Sequence, residues 1–299
     1  MIKDTGSSVR ARLLAIAKAE NSVFDQVLVR FALERILYRI GVSNYADHFI
    51  LKGALLFNLW YDMPHRATRD ADLLGFGASD LESIKEVFSK IAAIQVDDGI
   101  CFNSATIVVE EIRKEDGYGG ARVLIASTTA KAKCKTQIDI GFGDIVTPGP
   151  VKAIYPVLLQ DLPAPTLHTY PVYTVIAEKL NAICELGMTN SRLKDYLDLW
   201  VLLNNETLDH QVLAKAVAAM FGRRGTRISN TLPVGLTDQF ADDVSRKILW
   251  KNFLIKNQLP ITTLNSTIEK IRLTLEPILK EAATLNLEQE NLIDKHFNV

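Results

Sequence analysis

Two carboxylates one residue apart are the strongest chemical signal in the chain. Asp70-Ala71-Asp72 runs into Leu73-Leu74 and then Gly75, a pattern that reads as a strand ending in a loop. Residues i and i+2 of a strand point to one face, so the two acids share a side. Carboxylates that close repel, and each raises the other's pKa unless a cation lies between them. Oxygen ligands with positions left open suit Mg²⁺, which takes one or two carboxylates plus substrate phosphates. Two unrelated acids on a solvent-facing edge would look the same, so the pair does not decide by itself.

Two neighbours in the chain sharpen it. In Ile138-Asp139-Ile140 the acid faces away from both isoleucines. If these are core, Asp139 lies on the opposite face, where it could be a third metal ligand or an ordinary outward polar residue. Lys52-Gly53 precedes the pair, and a glycine at a tight turn lets backbone N–H groups come close to phosphate oxygens. Glycine turn, carboxylate pair, then a single carboxylate on a later strand is the order that nucleotidyl transfer requires. Thr68, two residues before Asp70, would share the acids' face if the strand reached back that far; it could equally be a β-former. Arg66 and Arg69 flank the pair and could bind phosphate or base, or neutralise the acids.

A second group of charges lies beyond residue 170. Lys179 falls on a helix expected over 174–186, whose apolar side is Ile176, Leu180 and Ile183. Asp195 and Asp198, spaced i,i+3, share a face of the next expected helix, 191–204. These are solvated charges or an ion-paired cluster in which a buried lysine finds its partner. Gly222-Arg223-Arg224-Gly225-Thr226-Arg227 reads as a loop with exposed arginines, either plainly solvated or fit to contact an RNA backbone.

The elements that must hold these residues follow from periodicity. Helical spacing fills the first forty residues. A short apolar run at 48–51, a strand or the entry to a helix, a helix at 54–60 and the acidic strand come next, then a helix from Leu81 to Ile94 with Ser79 as N-cap. Thr106–Ile112, Ala121–Thr128 and Lys135–Ile140 read as strands, with a further one at 153–158 in a proline-rich connection. Helices are expected again at 209–221, 237–257 and 262–285. With 34 basic and 35 acidic side chains there is no global basic field, so any nucleic-acid contact has to be local. No apolar run is long enough to span a membrane and the start carries no apolar h-region, so a cytoplasmic protein is expected. Three cysteines at long spacings fit neither a disulfide framework nor a zinc cluster. The five histidines show no metal or triad spacing.

FILKGALLFNLW, RATRDADLLGFG, QIDIGFGD and VIAEKLNAICELGMTNSRLKDYLDLW occur in this order over most of residues 48–204. Together they resemble the AbiEii/AbiGii toxin family of toxin–antitoxin and abortive-infection systems, within the polymerase-β-like nucleotidyltransferase superfamily. The resemblance implies an α+β fold: a nucleotidyltransferase domain with a mixed sheet and N-terminal helices over 1–170, and a C-terminal helical bundle over 171–299 that completes the active-site cleft. It implies Mg²⁺ on Asp70, Asp72 and Asp139, and nucleotide contacts from Lys52, Gly53, Thr68, Arg69 and Lys179. Asp70, Asp72, Lys179 and Asp195 would be catalytic, Lys179 matching the family's AEKL lysine and Asp195 the first acid of its KD-x-x-D motif. Asp195 would orient Lys179 or the acceptor hydroxyl, or act as general base. Arg223, Arg224 and Arg227 are the candidate RNA contacts, and Thr68 a possible phosphorylation site. The implied substrates are a nucleoside triphosphate and an RNA acceptor, with the tRNA 3′ end leading, and the implied partner is a cognate antitoxin. A phosphotransferase or nucleotidyltransferase acting on protein or a small molecule, and a non-catalytic binding module, are the alternatives. One departure stands out. Many superfamily members place serine after the loop glycine and many AbiEii-like chains read Gly-Gly-Thr, whereas here Ala54 and Leu55 follow Gly53.

Overall fold

The computed structural model describes residues 5–61, 68–113, 119–229, 231–260 and 262–297. Arg66 and the turn glycine Gly117 fall outside them. The chain divides into two compact units, Met1–Gly143 with Val151–Thr169, and Asp144–Pro150 with Tyr170–Val299. The segment 144–150, expected within the first unit, belongs to the second.

The first unit is α+β. Helices α1 (Thr5–Ala19) and α2 (Phe24–Val42) lead into β1 (Phe49–Lys52) and the short α3 (Leu55–Trp60). Strand β2 (Asp70–Gly75) and helix α4 (Leu81–Ala92) follow. Then come β3 (Cys101–Arg113), β4 (Gly119–Thr129), β5 (Ala132–Phe142), β6 (Val151–Ile154) and β7 (Thr166–Thr169). They form one mixed seven-stranded sheet in the order β3-β4-β5-β2-β1-β7-β6. β2 runs antiparallel to β1 and parallel to β5, so the acidic strand is central. Its period-2 pattern is the reason it can be: Ala71 and Leu73 are buried on one face, while Asp70 and Asp72 take the other.

Helix α2 is apolar nearly all round and is buried accordingly. Three of its charged residues, Glu34, Arg35 and Arg39, are buried and paired inside. Arg39 grips Asp98 with two hydrogen bonds of 2.7 and 3.1 Å, and Glu34 lies 3.0 Å from Arg35. Burial still pushes the Glu34 carboxyl up to about 7, because the neighbouring cation offsets only part of the desolvation. The cap of α4 is Asp80 rather than Ser79, since Asp80 Oδ1 accepts the Ser83 N–H at 2.9 Å. The strand expected at 153–158 is β6, which starts two residues earlier and ends four residues earlier, because Pro156 cannot donate to a ladder.

The second unit is helical: α5 (Val172–Leu186), α6 (Leu193–Asn205), α7 (His210–Arg224), α8 (Asp238–Ala241), α9 (Val244–Lys256) and α10 (Leu264–Phe297). The single helix expected over 237–257 is broken at Asp242-Asp243, where Asp243 caps α9 by accepting the Arg246 N–H. α7 packs on α5 and α10, and α6 on α5 and α10, around Leu180, Ile183, Leu199, Val217, Phe221 and Leu275. Among the described residues no helix is long and apolar enough to cross a membrane.

Candidate functional site

The sheet register brings five charged residues into one row. Asp72 lies opposite Lys52 on β1 and opposite Asp139 on β5; Asp139 lies opposite Arg122 on β4, and Arg122 opposite Glu110 on β3. Residues in register share a face. The row across four strands and β1 is thus Glu110, Arg122, Asp139, Asp72, Lys52, two cations set among three carboxylates. Asp70 is on the same face, two residues before Asp72 on β2. Ile138 and Ile140 are buried on the opposite face, so Asp139 does face the side of the acid pair.

Three local contacts shape the pair. The Thr68 hydroxyl donates to Asp70 Oδ1 at 2.7 Å. Thr68 precedes β2 rather than extending it, so it reaches Asp70 by a local turn-like bond and not by strand alternation. Gly53 follows Lys52 with φ at +73°, a left-handed conformation that favours glycine. A Cβ there would stand 2.1 Å from Asp72 Oδ2, so the turn's backbone rests directly on that carboxylate. Lys52 is buried and Arg69 exposed.

Asp139 is held differently. Arg122 donates through Nε to Oδ1 at 2.8 Å and through Nη2 to Oδ2 at 2.7 Å, a two-pronged pair. Gln137 Nε2 adds bonds of 3.2 and 3.3 Å to the same two oxygens. The hydrogen bond to Asp139 pushes the Arg122 pKa further up, with Asp70 and Glu110 adding Coulombic attraction. Among the described residues no three His, Cys, Asp or Glu side chains are disposed as a ready metal cage. The donor set nonetheless fits a hard divalent ion: Asp70 and Asp72 supply two carboxylates on one face beside a backbone turn. As the side chains stand, Asp139 is engaged by Arg122 and Gln137 and does not add a third.

In the second unit Lys179 is not a solvated helix lysine. Its Nζ donates to Asp195 Oδ1 at 3.0 Å and to Asp198 Oδ2 at 2.6 Å, and these acids are 1% and 0% exposed. Arg192 Nε is a second cation, 2.7 Å from Asp195 Oδ2. The i,i+3 spacing on α6 places both carboxylates toward α5. Asp198, the second acid of the KD-x-x-D match, makes the shorter contact, although only Asp195 is expected at the site. Between them Tyr196, fully buried, stacks on Phe240 and donates to the Gly235 carbonyl at 2.9 Å.

The basic segment 222–227 departs from the loop expected there. Helix α7 continues through Arg224 and ends at Gly225, which adopts φ +66° as the C-cap. Arg224 is therefore turned inward, its side chain 7% exposed, and binds Asp144 at 3.1 Å and Glu178 at 3.2 Å. It fastens the 144–150 segment to α5 and is not a surface contact for RNA. Arg223 and Arg227 are exposed. Arg122, Asp144 and Glu178 carried no signal of their own in the sequence, since each partner comes from a different element.

Among solved structures, a Helicobacter pylori chain provisionally assigned as a nucleotidyltransferase matches at 16% identity and TM-score 0.44, covering 84% of this chain and 93% of that one. JHP933 from Helicobacter pylori matches at 15% identity and TM-score 0.42, covering 87% and 93%. No curated protein matches. The family model described as "Nucleotidyl transferase AbiEii toxin, Type IV TA system" matches residues 35–270, a span that includes the carboxylate row, the Lys179 cluster and α7. The chain belongs to the AbiEii nucleotidyltransferase toxins of type IV toxin–antitoxin systems.

Proposed function

We propose that this toxin transfers a nucleotide from a nucleoside triphosphate to an RNA acceptor, the tRNA 3′ end in first place, with Asp70 and Asp72 holding Mg²⁺. The observation that carries this is the pair of carboxylates on one face of a central strand, with the Gly53 turn packed on Asp72. When bound, the ion supplies positive charge that offsets the triphosphate and favours attack at the α-phosphorus with pyrophosphate leaving. Thr68 orients Asp70 through its hydroxyl bond. The Gly53 turn replaces the hydroxyl that other family members place here, presenting backbone N–H groups to phosphate. Lys52, beside Asp72 in register, adds positive charge to the same face. Lys179 is assigned a phosphate-binding role, with Asp195 and Asp198 fixing its ammonium group. Arg223 and Arg227 remain assigned to RNA backbone contacts. Blocking the tRNA 3′ end would prevent aminoacylation and arrest growth, which the cognate antitoxin must counter in the cytoplasm.

Purified protein incubated with Mg²⁺, total RNA and triphosphates labelled on the α-phosphate tests this. Label in RNA of tRNA size, lost in Asp70→Asn, is the expected result. Label from the γ-phosphate on protein, with none from the α-phosphate in RNA, would replace nucleotide transfer by phosphotransfer.

A further inference from the structure

Asp139 lies in register with Asp72, on the same face, with both oxygens taken by Arg122. Arg122 itself stands between two carboxylates. Asp139 is its opposite residue on β5 and Glu110 its opposite residue on β3. Neighbouring strands are about 4.8 Å apart, so a long, flexible arginine reaches either one without backbone movement. Glu110 is exposed, and its attraction to Arg122 is already felt across the ladder. Arg122 is itself about one-third exposed, so its guanidinium is not walled in.

A divalent ion on Asp70 and Asp72 changes the balance of this row. It adds two positive charges on the strand beside the one whose Asp139 holds the guanidinium. Like charges at that range repel, while Asp139, next to Asp72, is the nearest further oxygen donor. We propose that Arg122 is a two-position counter-cation, resting on Asp139 before the metal binds and moving to Glu110 when it does, so that Asp139 is delivered as a third oxygen ligand. Resting on the metal reading above, this assigns Arg122 and Glu110 as positioning residues. Asp139 exchanges an arginine for the ion, and Arg122 exchanges one carboxylate for another.

The test is Mn²⁺ affinity without nucleotide, read from the free-ion signal in electron paramagnetic resonance. Removing the competing cation in Arg122→Gln should tighten binding about tenfold, the effect of one unit charge at such distances in a medium of intermediate dielectric. Asp139→Asn should weaken binding and should erase the gain when combined with Arg122→Gln. Glu110→Gln, at an exposed position with little bearing on folding, should weaken binding severalfold by removing the second resting place. Arg122→Lys keeps a cation on β4 and should leave affinity near wild type, which guards against misfolding in the Gln variant. Unchanged or weaker affinity in Arg122→Gln, or a gain that survives loss of the Asp139 charge, overturns the exchange and leaves Asp70 and Asp72 as the metal ligands. No Mn²⁺ binding by the wild type overturns both.

Discussion

Replacing Lys179 by methionine gives a stringent test of the second charged cluster. The substitution keeps most of the side-chain volume and removes only the ammonium group. Asp195 and Asp198, 1% and 0% exposed, then lose the cation they share, and Arg192 at 2.7 Å still serves Asp195. Breaking a buried ion pair from one side costs about 3–5 kcal/mol, because the carboxylates remain desolvated. For a helical unit of this size each kcal/mol moves the midpoint by about 2–4 °C, giving an expected loss of about 6–20 °C in Tm. Thermal denaturation by circular dichroism reads it. The double variant Lys179→Met with Asp198→Asn removes both the cation and one of the buried anions, and most of the loss should return. A wild-type Tm for Lys179→Met alone would refute the claim that these buried carboxylates depend on it.

The same pair of variants separates stability from chemistry. A single substitution of Lys179 that abolishes transfer is ambiguous, since the unit is weakened as well. If the restored double variant folds at wild-type temperature and still fails to transfer α-phosphate label to RNA, the ammonium group itself serves the reaction. If it folds and transfers normally, Lys179 is a structural residue and the phosphate role is wrong.

Gly53→Ala would place a Cβ 2.1 Å from Asp72 Oδ2 at a backbone φ of +73°, so Mn²⁺ affinity and transfer should both fall at least about tenfold; unchanged Mn²⁺ affinity would mean Asp72 is not a ligand. Glu34 has a folded-state pKa of about 7, above its ordinary 4.5. The folded chain therefore keeps a proton that the unfolded chain has released, and stability drops as pH rises through this window, by about 3 kcal/mol in all. Urea midpoints at pH 5 and pH 8 should differ by more in the wild type than in Glu34→Gln, and parallel behaviour would contradict the burial argument. Arg224→Ala should destabilise the protein by about 2–4 kcal/mol, since Asp144 and Glu178 lose their shared cation, whereas Arg227→Ala on the surface should stay within about 0.5 kcal/mol. Equal effects of the two would show that Arg224 is as exposed as its sequence context suggested.

What could be read from the chain and what could not divides along local and non-local physics. The α+β class and the common face of Asp70 and Asp72 are readable because a strand's period is a property of adjacent residues, and Ala71 and Leu73 announce it. The apolar side of α5 is readable for the same reason. The placement of Arg224 is not readable because Gly-Arg-Arg-Gly offers two equally good helix stops, and only the packing of α7, with Asp144 and Glu178 inside, selects Gly225. Arg122 sits in Ala121-Arg122-Val123, where alternation says no more than that it points away from the core. Its partner depends on the β4–β5 register, which a slip of one residue would move to the other face of the sheet. Two of the acids in the row therefore acquire their chemistry from other segments, the turn after β1 and the neighbouring strand β4. Asp72 becomes a ligand candidate because Gly53 lies against it, and Asp139 is held back because Arg122 lies beside it. The same residue type, on the same face and one strand apart, meets a glycine backbone in one place and an arginine side chain in the other.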